Sequence, residues 1–129
     1  MPESVSPELR RFINEHVGSI AQLELLLLLA GDPAKTIDAE EASRIFYVTV
    51  DAARAFLETM AADGLLAAEP GGKYRFAPRH AEWARLVETL GQTYRERRPT
   101  VIEIIYTGPT DALQSFADAF RIRKDGKDK

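Results

Sequence analysis

Apolar positions fall at helical spacing along most of this chain, and one short segment alternates instead. Ser6-Pro7-Glu8 reads as a helix start: a capping hydroxyl, a proline at the first position and an acid in the first turn. Leu9, Phe12, Ile13 and then His16 or Val17 follow at helical intervals, and Gly18 interrupts them. Ser19-Ile20-Ala21-Gln22 is a capping box, opening a helix that runs through five consecutive leucines and stops near Gly31-Asp32-Pro33. Leucines on every side make this the expected central, most buried helix. Asp38-Ala39-Glu40-Glu41 is a second reciprocal cap, for a short helix with Ala42, Ile45 and Phe46 inward. Tyr47-Val48 is the turn after it. Thr49 caps the next helix, whose stripe is Ala53, Leu57 and Met60 with Phe56, and Gly64 ends it where a left-handed residue is needed.

The period then changes. Leu65-Leu66-Ala67-Ala68 and Lys73-Tyr74-Arg75-Phe76-Ala77 flank Glu69-Pro70-Gly71-Gly72, which predicts a β-hairpin with Tyr74 and Phe76 on one face and Lys73 and Arg75 on the other. Pro78 ends it. A long helix from Arg79 carries the stripe Trp83, Leu86, Val87, Leu90 and Tyr94, closing at Arg95-Glu96-Arg97-Arg98-Pro99. Residues 101–106 fit two structures: their β-branched content favours a strand, their helical surroundings a short buried helix. After Gly108-Pro109, Thr110-Asp111 caps a last helix with Leu113, Phe116, Ala117 and Phe120 inward.

A chain of 129 residues suits one domain, 1–129, with one core. The absence of cysteine excludes disulfides and thiolate metal sites and suits a reducing cytoplasm. Met1-Pro2-Glu3-Ser4 lacks the regions of a signal peptide. The leucine run is far short of the roughly 20 residues that a membrane span needs, so no membrane is expected as a partner. Net charge is −3, unevenly spread: residues 1–69 hold 5 Lys/Arg against 12 Asp/Glu, and residues 70–129 hold 12 against 8. Such asymmetry marks either a polyanion-binding half or ordinary solvated helix faces.

Residues 38–78 resemble the winged helix-turn-helix superfamily, of the MarR-like or ArsR-like regulator kind. The resemblance is carried by Asp38 to Phe46, the Thr49 cap, Ala53, Leu57, Met60, Asp63-Gly64-Leu65-Leu66 and Tyr74 to Pro78. It implies a mainly α fold with a small antiparallel β-hairpin wing, and flanking helices over 6–31 and 79–121 that suit dimerisation. It also implies a homodimeric transcriptional regulator, with the Thr49 helix in the major groove of double-stranded DNA and the hairpin along the backbone. The residues facing DNA are then Ser43, Arg44, Thr49, Val50, Asp51 and Arg54, with Ala55 and Glu58 further along, and Lys73 and Arg75 from the wing. Arg54 is the natural phosphate or guanine partner on that helix, whereas Asp51 and Glu58 repel phosphate. Trp83, Leu86, Leu90 and Tyr94, with Phe116 and Phe120, form a dimer seam; the alternative for the Trp83 stripe is the chain's own core.

No other constellation carries chemistry. His16 and His80 have no paired ligand spacing and read as structural. Glu40-Glu41 is a cap and its neighbour, Gly71-Gly72 is a turn without a phosphate-binding motif, and Ser43 has no triad around it. No metal, cofactor or enzymatic activity is therefore expected. Arg95, Arg97 and Arg98, with Arg121, Arg123 and Lys124, make either a basic patch or favourable helix C-termini. A second function class stands beside the DNA-binding one: a winged helix used as a protein-protein interaction module, suggested by the acidic N-terminal half and the weakly cationic recognition face.

Overall fold

Each of the first four helices begins where a side-chain oxygen can accept a free backbone N–H. The computed structural model describes residues 5–107, in the order α1 (Pro7–His16), α2 (Ile20–Ala30), α3 (Ala39–Phe46), α4 (Val50–Asp63), β1 (Leu66–Glu69), β2 (Lys73–Phe76), α5 (Ala81–Glu96) and α6 (Arg98–Thr107). The expected last helix, with Phe116 and Phe120, lies outside the described residues. Ser6, Ser19, Asp38 and Thr49 accept from Leu9, Gln22, Glu41 and Ala52 at 3.1, 3.1, 2.8 and 3.0 Å. α5 starts at Ala81, two residues later than expected, and its cap position, His80, makes no side-chain cap bond.

α2 is the hub, as its all-round leucines predict. Leu23, Leu25, Leu26 and Leu29 are buried, and α2 packs against α3, α5 and β2. α1 packs on α5 and α6, contributing Leu9, Phe12 and Ile13. α4 packs on α3 and β1 through Ala53, Leu57 and Met60, all fully buried. Among the described residues, no single helix is long and apolar enough to cross a membrane. α1 and α2 pass such a test only together, but they meet at a bend of 108°.

The hairpin is antiparallel, pairing Leu66 with Phe76, Ala67 with Arg75, Ala68 with Tyr74 and Glu69 with Lys73. Ile37, fully buried, adds a bridge on the other side of β2: its N–H donates to the Tyr74 carbonyl at 3.0 Å and its carbonyl accepts back at 2.9 Å. A lone bridging residue has no alternation of its own, so periodicity does not announce it. Gly64 ends α4 at φ 92°, and a Cβ there would meet the Arg79 side chain at 2.9 Å. Both the left-handed backbone and the close approach call for glycine.

Several expectations change. Residues 101–106 are helical within α6, whose Val101 and Ile104 are buried. Pro99 sits in its first turn, where a missing N–H costs nothing, and Arg97 alone separates α5 from α6. Ile45, expected inward, is 42% exposed; Ala39 and Ala42 are the buried positions of α3. Leu65 lies just before β1. The two caps expected to be reciprocal also differ. Gln22 Oε1 accepts from Gly18 N at 2.8 Å, one residue before the cap, and Glu41 lies 3.6 Å from the Lys35 ammonium.

Leu57→Ala is expected to lower stability by about 3 kcal/mol, since Leu57 joins α4 to the core. Urea unfolding checks this: the midpoint falls while the slope is unchanged.

Candidate nucleic-acid interface

Two helices and the hairpin carry every residue expected to face DNA. α3 and α4 pack on each other, β1 packs on α4, and Lys73 of β2 reaches Asp38 at the head of α3. Arg44, Thr49, Asp51, Arg54 and Arg75 are exposed, while Ser43, Val50 and Lys73 are half-buried. The α3–α4 turn passes through Tyr47, which closes α3 in the left-handed region at φ 58° while its N–H donates to the Ser43 carbonyl. Such a backbone costs a non-glycine residue about 1 kcal/mol. Tyr47 is also 93% exposed.

Charge on this unit is balanced internally. Residues 38–78 hold four Lys/Arg against seven Asp/Glu. Arg54 bonds Asp51 at 3.1 Å, Arg75 bonds Glu69 at 2.5 Å, and the Lys73 ammonium lies 3.8 Å from Asp38. Arg44 makes no ion pair among the described residues. The paired acids also serve the fold. Asp38 caps α3, Asp51 sits in the first turn of α4, and Glu69 faces Lys73 across the strands. The Glu41 backbone N–H holds the Asp38 carboxyl below its ordinary range, burial opposes this, and Lys73 and Arg44 add to the lowering.

Two polar junctions fasten this unit and the hub to the flanking helices. His16 Nδ1 lies 2.9 Å from Asp63 Oδ2 at the foot of α4. The His16 ring packs against Phe12 and Trp83, with centroids at 4.9 and 5.2 Å, and His80 meets Trp83 edge-on at 4.6 Å. Elsewhere the Tyr94 hydroxyl donates to Glu24 at 2.8 Å, and Arg98 both bonds Glu24 at 3.3 Å and lies over the Tyr94 ring. Burial, and next the Glu24 bond, push the Tyr94 hydroxyl pKa up. The Trp83 stripe is thus divided: Leu90 and Tyr94 are buried inside the chain, with Trp83 and Leu86 half-buried at its edge. Of the Arg95–Arg98 cluster, Arg98 is engaged by Glu24. Arg121, Arg123 and Lys124 lie outside the described residues. An open cleft of about 400 Å³ runs between the end of α2, Phe76 and α5; Leu27, Ala30, Val87 and Gly91 line it, with Glu88 and Arg95 its charged lining groups.

Sequence reasoning missed the His16–Asp63 contact, because the two residues are 47 positions apart and neither lies in a motif. It placed Tyr47 in a turn, yet nothing local signalled a left-handed, nearly naked tyrosine.

No protein-family profile matches the chain, and no curated protein matches it. Solved structures do. Ligand-free NadR superposes with a TM-score of 0.52 at 17% identity, covering 95% of this chain and 88% of NadR. NadR in complex with 4-hydroxyphenylacetate gives 0.51 at 18%, covering 92% and 87%. The heme sensor protein PefR from Streptococcus agalactiae, in complex with heme, gives 0.50 at 16%, covering 92% and 83%. What these structures share with the chain is the fold, a winged helix that is mainly α with a two-stranded antiparallel wing.

Two outcomes follow from this geometry. A double-mutant cycle of His16→Ala and Asp63→Ala, read by thermal or urea unfolding, should give a coupling of about 1 kcal/mol. Asp38 is the second. A carboxyl whose pKa is lowered by folding adds stability above its unfolded pKa, near 4, and loses it as pH falls through the lower folded value. Asp38→Asn keeps a capping side chain but not its charge, so it should lower Tm at neutral pH, flatten the fall of Tm below about pH 4 and converge with the wild type in acid.

Proposed function

We propose that the protein is a homodimeric, DNA-binding transcriptional regulator, with α4 in the major groove and the β1–β2 hairpin along the backbone. One observation carries this reading. α4, whose N-terminal end exposes Thr49, Asp51 and Arg54, packs on β1 of a cation-bearing hairpin, in a fold that resembles that of MarR-family regulators. Dimerisation falls to the flanking helices, where Trp83 and Leu86 are half-buried. NadR and PefR are described with bound small molecules. In this chain the open cleft between α2, β2 and α5 is the place proposed for a small effector.

A second reading, contact with a protein through the same face, is favoured by one fact: Arg54, Lys73 and Arg75 already have carboxylate partners. Cations held this way gain less from phosphate, so the DNA reading requires weak non-specific affinity and a shallow salt dependence.

Anisotropy titration of labelled duplex DNA across a salt series separates the two. The DNA reading expects affinity that falls with salt, and loss of most binding in the triple variant Arg54→Ala, Lys73→Ala, Arg75→Ala. It also expects Asp51→Asn with Glu69→Gln to raise non-specific affinity roughly tenfold and steepen the salt slope, as two cations are released. Absence of salt-dependent binding favours the protein-contact reading.

A further inference from the structure

We propose that Tyr47 is a DNA-backbone contact, its phenolic hydroxyl donating to a phosphate oxygen beside the head of α4. This rests on the DNA-binding reading above and adds to it a residue that charge counting does not select.

The fold does not account for this tyrosine. The turn from α3 to α4 requires a left-handed residue at position 47, where the N–H closes α3 onto the Ser43 carbonyl. Glycine or asparagine meets that requirement with less strain. A large side chain is tolerated at such a position when its packing compensates, yet Tyr47 is 93% exposed. Its hydroxyl makes no hydrogen bond with the described residues. A strained backbone bearing an exposed, unpartnered aromatic is a mark of function rather than packing. Position 47 lies two residues before the Thr49 cap, in the turn that would bring α4 onto the groove. Tyrosine is an established phosphate donor, and being neutral it is not quenched by the acids that hold Arg54, Lys73 and Arg75. Arg44, exposed and unpaired among the described residues, stands three positions earlier on α3 and supplies a charge for the same strand.

The test uses the full chain and a fluorescein-labelled duplex enriched from a random pool by the wild-type protein. Tyr47→Gly should raise Tm by about 4 °C, because the left-handed backbone is relieved, and weaken DNA binding by about tenfold. Tyr47→Phe should leave Tm unchanged and weaken binding by about fivefold or more. Neither should alter the salt slope, since a neutral donor releases few counterions. Tyr47→Gly that binds like wild type overturns the proposal. Tyr47→Phe that binds like wild type overturns the hydroxyl's role. A lowered Tm in Tyr47→Gly shows a packing role and likewise overturns it. Failure of the wild type to enrich any duplex overturns the DNA-binding reading itself, a different result from wild-type binding that ignores position 47.

Discussion

The structure depends on one constraint: α2 has leucines on every side, and most of that surface has to be taken out of water, with only Leu27 and Leu28 left half-buried. Each leucine side chain taken out of water contributes about 2 kcal/mol, so the surrounding elements are drawn in around it. Leu23, Leu25, Leu26 and Leu29 are buried almost completely, between α3, α5 and β2. Ile37 then fastens the approach to α3 onto β2, and Gly64 lets α4 turn closely into the hairpin beside Arg79. α3, α4 and the wing hold their relative places because they share this support. The surface that would meet DNA is therefore a product of core packing, although few of its own side chains pack anywhere.

Electrostatics act differently on the same surface. Acids at helix starts are favourable for folding, because they satisfy free N–H groups and meet the positive end of the helix dipole. Asp38 does both for α3, Asp51 meets the dipole in the first turn of α4, which Thr49 caps, and Glu69 bonds Arg75 across the hairpin. Each also lies against a cation that a nucleic-acid surface would use. Stability and polyanion affinity are thus in conflict on one face. The consequence for a DNA-binding role is discrimination through position and neutral contacts, with little attraction from net charge.

Much of the fold was legible because its signals are local. Caps at Ser6, Ser19, Asp38 and Thr49, the stop at Gly64 and the alternation through Tyr74 and Phe76 each constrain a few neighbouring residues. Residues 101–106 were ambiguous because β-branched side chains suit strand and helix alike once both are buried; contact of α6 with α1 and α5 decides for the helix. Ile45 was misplaced because periodicity marks a face without saying how far the neighbouring element covers it. The candidate site was legible as a set of positions, yet its charge balance was not. Asp38 and Lys73 are 35 positions apart, and only the pairing of the hairpin with its surroundings brings them to 3.8 Å.

The central claim, that α3, α4 and the hairpin together form a DNA-binding face, is tested most directly by an amide NMR titration of the full chain with duplex DNA. The account predicts salt-sensitive shifts concentrated at Ser43 to Arg54 and Lys73 to Arg75, with α5 little changed. Shifts confined to α5 and α6, or none at low salt, would contradict it.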